Sequence, residues 1–237
     1  MVTPVFTYLE NRIAINRHEH VALLRRGRRQ AFRLAPFIAE GLRRGDRCCY
    51  LAPKPFHGEM LVRVREAGAA PDEHLQAGSL RLQPELTDYR ELQAWTRQVF
   101  AEAELPPASS VRWVEEGIWP KPAGIPLTQI FEFHALLNYQ VKHCSSVALC
   151  QYDTEQLEIR ELFSAIAVHR HLVVEETLVR DNPFYIPAEK FIPLSPSERE
   201  RDLLRLFREA GFDVQKLLAA LAGYGHLQGP SSRGPSQ

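Results

Sequence analysis

The segment Ser110-Val-Arg-Trp-Val-Glu-Glu-Gly-Ile-Trp-Pro120 sets two adjacent carboxylates beside an arginine and two tryptophans. Alternation along a strand puts Val111, Trp113 and Glu115 on one face and Arg112, Val114 and Glu116 on the other. The glutamates then stand at the strand's C-terminal end, where open α/β sheets bind ligands. Paired carboxylates there suit acid/base work, and Trp119 would wall a small pocket. The plain structural alternative pairs Arg112 with a glutamate and puts the tryptophans in the core.

Ser146 to Asp153 is apolar through Cys150 and turns polar at Gln151, Tyr152 and Asp153, as a buried strand does where it emerges. Those side chains are expected on the same rim as Glu115. Asp153 with Gln156 also reads as a helix cap and its N3 partner. The histidine groupings that invite a metal reading are His18-Glu-His20, His143-Cys144 and His169-Arg-His171, none with the i, i+4 spacing of a zinc protease. Neither a metal nor a cofactor is expected. No serine or cysteine stands in a nucleophile elbow and no G-x-G-x-x-G follows a strand, so the chain reads as a non-enzyme.

These residues need a scaffold, and the hydrophobic pattern supplies one. Strands are expected at His20–Leu24, Arg47–Ala52, Ser79–Leu82, Ser110–Val114, Ser146–Tyr152 and Leu172–Val179. Helical periods fill the gaps between them: Ala31 to Leu42, Met60 to Ala67, Glu91–Ala103 and Leu127–Val141. The alternation predicts an α/β fold, a mainly parallel sheet with helices on both faces. Ser195-Pro-Ser-Glu198 is a strong helix start, and Asp213 opens a second helix. Residues 195–222 therefore form a C-terminal helical hairpin. The expected organisation is an α/β domain over 1–187, the hairpin over 188–224 and a disordered Gly/Pro/Ser tail over 225–237.

The first strand runs into "RRGRR", residues 25–29, and then a helix. This is the layout of a phosphate loop without its glycines, lysine and hydroxyl. Arg28 and Arg29 remain candidates for an anion or partner contact. Lys+Arg and Asp+Glu each total 29, so no global field favours nucleic acid or an anionic membrane. The adjacent Cys48 and Cys49 in an apolar run suit buried thiols in a reducing compartment. No signal peptide or membrane span is visible, and a cytoplasmic protein is expected.

In order, "HVALL", "FIAEGLRRGDRCCYLAP", "AGSLRL", "VRWVEEGIW", "FEFHALLNYQV", "ALCQYD", "VHRHLVV" and "NPFYIP" resemble the MEDS sensory domain over about residues 18–187. That family is named for methanogen and methylotroph proteins and a dichloromethane-responsive repressor. The resemblance implies a divergent relative of the RecA-like core of the clock ATPase KaiC, a three-layer sandwich that has lost its phosphate loop. It also implies sensing of small ligands such as hydrocarbon derivatives. Positions matching the family pattern are His20, Gly41, Gly45, Tyr50, Arg112, Trp119, Glu132, Asn138, Cys150, Tyr152, Asn182 and Pro183. The repressor carries its DNA-binding module ahead of the sensor, whereas this sequence starts almost at the sensor.

Together these readings predict a non-catalytic signal-sensing protein that binds a small molecule in a rim pocket of His20, Arg112, Glu115, Trp119, Glu132 and Tyr152. Its output would pass to a protein partner, with residues 195–222 as a homodimer or docking element. The alternatives are a RecA-like relative that binds or hydrolyses nucleotides, and a DNA-binding regulator using the hairpin. The second helix of that hairpin offers only Gln215 and Lys216 as polar readers, so nucleic acid is the least expected partner.

Overall fold

The structure is a computed structural model that describes residues 5–27, 32–105, 110–117 and 124–227. Its centre is a seven-stranded sheet built from β3 (His20–Arg25), β4 (Arg47–Leu51), β5 (Leu80–Leu82), β6 (Val111–Glu116), β7 (Ser146–Asp153), β8 (His171–Val174) and β9 (Thr177–Val179). The order across it is β5-β4-β6-β7-β3-β8-β9, parallel throughout except for the β8–β9 pair. Parallel neighbours require crossover connections, and helices supply them. The α/β architecture read from the sequence is the one observed.

One face is covered by α1 (Ala35–Arg43), α2 (Lys54–Glu66) and a hairpin of β1 (Val5–Leu9) and β2 (Ile13–Asn16) that the strand pattern had not suggested. Phe6, Ile15, Phe37, Ile38 and Met60 pack there against Val21, Leu23, Val114 and Leu149. The opposite face carries α4 (Tyr89–Glu104), α5 (Leu127–Gln140) and α6 (Ile159–Val168). A short α3 (Pro71–Gln76) precedes β5. Asp88 caps α4 by accepting from the backbone N–H of Arg90 and Glu91 at 2.7 and 2.9 Å.

Four expectations change. The apolar run Leu172–Val179 is a tight hairpin, because Glu175 takes a left-handed φ of 55° and reverses the chain between β8 and β9. The helix after β7 begins at Ile159 with a Glu158/Glu161 capping box, so Asp153 is not its cap. The C-terminal hairpin, α8 (Pro196–Glu209) and α9 (Val214–Leu227), is not a separate unit. Leu203, Leu217, Leu218 and Leu221 share a core with Leu172, Val174 and Phe163, and the short α7 (Ala188–Phe191) adds Phe191. Finally, α9 continues through Gly225 to Leu227, where a tail was expected. The rest of that tail lies outside the described residues.

Gly225 shows how tightly α9 seats: a Cβ there would lie 2.8 Å from the Leu178 carbonyl. The Ser195–Glu198 capping box forms as read, with the Ser195 N–H donating to the Glu198 carboxylate at 2.9 Å. No helix among the described residues is long and apolar enough to cross a membrane.

Candidate functional site

Register across β6, β7 and β3 assembles the site in rows. Trp113, Ala148 and His20 lie side by side, and Glu115, Cys150 and Ala22 form the next row. Tyr152 follows on the same face. The alanines leave a hollow between the larger side chains, and two imidazoles fill it from above. His134 descends from α5 and His169 from the residue that ends α6. All of these polar groups are buried, so the site is enclosed rather than an open rim.

A buried carboxylate must be met by donors. Glu115 accepts from Trp113 Nε1–H at 2.9 Å and from His134 Nε2–H at 2.6 Å. A carboxylate can only accept, so the His134 proton sits on Nε2. In the neutral ring, Nδ1 then accepts from the Tyr152 hydroxyl at 2.9 Å. The result is a continuous chain Tyr152–His134–Glu115–Trp113. Gly117 makes room for it, since a Cβ there would stand 2.2 Å from the Tyr152 ring.

The second half of the cluster is less complete. His20 Nε2 lies 3.2 Å from Cys150 Sγ, and the His20 and His169 rings meet at a tilt of 55° with centroids 4.2 Å apart. His169 Nδ1 is 2.7 Å from the Ala165 carbonyl, which can only accept. Its proton is therefore on Nδ1, and Nε2 is a buried lone pair with no hydrogen-bond partner among the described residues. Burial, and then the neighbouring imidazoles, hold His20 and His169 well below the ordinary histidine range. Burial followed by the Glu115 carboxylate pushes the Cys150 thiol well up.

Two asparagines fix the histidines' backbone. Asn138 Nδ2 donates to the carbonyls of His134, Ala135 and Val168 at 3.1, 3.1 and 2.8 Å, locking α5 to the end of α6. Asn182 Nδ2 donates to Ile166 O at 2.7 Å and His169 O at 3.1 Å. Asn138 thus has a positioning role over the cluster.

Of the residues expected to form a pocket, His20, Glu115 and Tyr152 come together as read. Arg112 does not join them, because alternation puts it on the other face. There its Nε donates to Asp46 at 2.8 Å and its Nη1 to Phe37 O at 2.8 Å and Glu40 at 3.0 Å, with the guanidinium over the Phe37 ring. Gly41 yields the space, as a Cβ would lie 2.4 Å from Arg112 Cδ. Glu132 lies on the flank of α5 facing Arg199 of α8 at 3.7 Å, away from the cluster. Gln151 also faces away. Glu116 sits with Tyr50 on the Arg112 face, its carboxyl pushed up to about 8 by burial against the hydrogen bonds of Tyr50 and Gln151. The adjacent glutamates are thus split by the sheet and do not work as a pair. Trp119, Arg28 and Arg29 lie outside the described residues.

His134, Cys150 and His169 were missed as site members. Local spacing is blind to this grouping, because the fold brings His20 to Cys150 and His169, more than a hundred positions away. The signals in the sequence were Cys150 two residues before Tyr152 and a lone histidine on the apolar helix at 127–140.

At the phosphate-loop position, Gly27 (φ +84°) donates its N–H to Asp153 Oδ1 at 2.9 Å. Arg25 pairs with Glu10 at 2.8 Å and Arg26 with Glu155 at 2.5 Å. Among the described residues of this loop, the Gly27 amide and both arginines thus face carboxylates of the chain itself.

Residues 19–170 match the model of the family described as MEDS, the methanogen/methylotroph, DcmR sensory domain. No curated protein matches the chain significantly. Among solved structures, the crystal structure of flagellar accessory protein FlaH from Methanocaldococcus jannaschii is similar at 8% identity and a TM-score of 0.43, over 66% of this chain and 70% of that one.

Proposed function

The chain belongs to the MEDS family of sensory domains, and on that premise we propose that it receives a small-molecule signal at the buried cluster and passes it to a protein partner. The observation that carries this reading is the cluster itself. It is a polar centre buried in an otherwise apolar layer, fed by β3, β6, β7, α5 and the end of α6, and wholly inside the family-matched residues. Polar side chains so placed cost stability unless fully paired, and here an imidazole lone pair is left unmet.

A relay follows from the packing. The helix carrying His134 reaches α8 through Glu132 and Arg199. The helix ending at His169 reaches it through Phe163 against Phe207, with ring centroids 5.7 Å apart. A ligand that shifts either imidazole therefore pushes on the C-terminal hairpin, which we assign as the output element. Phe212, two thirds exposed at the hairpin's turn, is its apolar tip. Among the described residues of the loop, the Gly27 amide is taken by Asp153 and Arg25 and Arg26 face Glu10 and Glu155, which supports a sensory over a nucleotide reading.

Thermal-shift screening of small polar and halogenated organic molecules, with nucleotides and DNA as controls, tests the proposal. Compounds that raise Tm should lose their effect in Glu115→Gln and Tyr152→Phe. A response that survives in both variants would place recognition elsewhere, and a response to ATP alone would replace the sensory reading.

A further inference from the structure

We propose that His20, Cys150 and His169 form a site for a first-row transition-metal ion of the zinc class, with a fourth coordination position left open for an exogenous ligand. The inference deepens the sensory reading by naming how the cluster would capture a small molecule. It rests on that reading only for the meaning of the fourth position.

Within the cluster the hydrogen-bonding capacity divides unevenly. Tyr152, His134, Glu115 and Trp113 satisfy one another in a chain that uses both His134 nitrogens. What remains is a thiol and two imidazoles. His20, Cys150 and His169 each offer a ligand atom, and these atoms lie within 4.8 Å of one another. A tetrahedral zinc ion sets imidazole and thiolate donors roughly 3.3–3.6 Å apart, as its bond lengths of about 2.0–2.1 and 2.3 Å dictate. The His20 Nε2 to Cys150 Sγ separation of 3.2 Å is already close to that edge. The other edges, at most 4.8 Å, must shorten for the ion to be held.

The second observation is independent of spacing. His169 has its proton fixed on Nδ1 by the Ala165 carbonyl, so Nε2 is a bare donor, fully buried among the rings of His20, His134 and Tyr152. A metal-binding histidine is ordinarily oriented in this way, its other N–H given to a backbone carbonyl. Asn138 and Asn182 hold the backbone on either side of that ring. One thiolate and two imidazoles suit a borderline-soft ion, and three protein ligands are the pattern of zinc sites that keep a position open. On binding, Cys150 gives up its proton to solvent and its sulfur donates an electron pair to the ion, with no change of oxidation state. The Glu115 carboxylate, with one oxygen 3.9 Å from Cys150 Sγ, stands beside the open position.

The test is titration of Co²⁺, then Zn²⁺, into the full chain after chelator treatment and dialysis, read by absorbance. The expected result is one equivalent of Co²⁺ with a thiolate-to-cobalt charge-transfer band, displaced by Zn²⁺. The band should vanish in Cys150→Ser, weaken at least tenfold in affinity in His169→Gln, and persist in Cys144→Ser. X-ray absorption on zinc-loaded wild type gives a readout that no variant's folding can confuse: one sulfur neighbour with nitrogen or oxygen completing the shell. A band that survives Cys150→Ser, a shell without sulfur, or no stoichiometric binding overturns the site. If the metal binds as described and no small molecule then perturbs the band or Tm, the site stands and the sensory reading fails. If small molecules respond through Glu115 and Tyr152 with no metal bound, the reverse holds.

Discussion

Two buried polar clusters lie back to back on β6, separated only by the thickness of the sheet. On one face Arg112 is enclosed by Asp46, Glu40, the Phe37 carbonyl and the rings of Phe6 and Phe37. On the other, Glu115 is held by Trp113 and His134 beside His20, Cys150 and His169. Arg112 and Glu115 are both fully buried, yet the chemistry around them differs. The Arg112 cluster sets one fixed cation against two carboxylates from α1 and the turn after it, so it pins the helix to the sheet. The Glu115 cluster holds neutral imidazoles and a thiol, groups whose lone pairs outnumber their protons. A cluster of the first kind is scaffold, and one of the second kind is able to take in something from outside.

Breaking the first cluster should have the largest effect. Arg112→Met leaves Asp46 and Glu40 without their buried partner and should cost about 3–5 kcal/mol in urea unfolding. The Tyr152–His134–Glu115 chain would remain intact in the folded fraction. A loss below about 1 kcal/mol would show that the cage does not hold α1 in place.

Mild acid should act on the histidines of the second cluster. His20 and His169 stay neutral when folded because burial, reinforced by their neighbours, keeps them well below the ordinary value of 6.5. Unfolded, they take up protons as pH falls through about 6.5. The stability they confer is present in full above that pH. It is lost below it, at roughly 1.4 kcal/mol per pH unit for each ring until the folded rings titrate. The difference in stability between wild type and His169→Gln, followed from pH 7.5 to 5, should shrink by one ring's worth. A constant difference would mean that His169 takes up its proton in the folded protein as readily as in the unfolded chain, and a growing one that it is already charged when folded.

Gly117→Ala places a methyl group against the Tyr152 ring and should cost about 1–3 kcal/mol, with the change confined to the Glu115 face in amide chemical shifts. Glu132→Ala should matter least, under about 1 kcal/mol, because its contact with Arg199 is a long, partly exposed pair. Its diagnostic value lies in the tryptophan fluorescence, which should not change if Glu132 lies outside the cluster.

The division between the faces was legible in part. Alternation alone separated Arg112 from Glu115, although the expected rim pocket grouped both. The parallel sheet, its helices and the Ser195 capping box followed from apolar period and cap chemistry. The β1–β2 hairpin was not legible, because Val5–Leu9 and Ile13–Asn16 are short and their meaning comes from packing on α1 and on Arg112. Nor was the α9 contact. Its leucine stripe announced a partner, but only the fold shows that the partner is the β8–β9 edge. His134 and His169 escaped because the sheet register and two asparagine clamps, not local spacing, bring them to Cys150.

The most direct measurement is the tautomeric state of the buried histidines, read from long-range proton–nitrogen correlation spectra of the ¹⁵N-labelled, metal-free protein near pH 7. The structure predicts a neutral His169 protonated on Nδ1 with a bare Nε2, and a His134 protonated on Nε2 toward Glu115. A His169 that is doubly protonated, or protonated on Nε2, would contradict the picture of a cluster with a lone pair to offer.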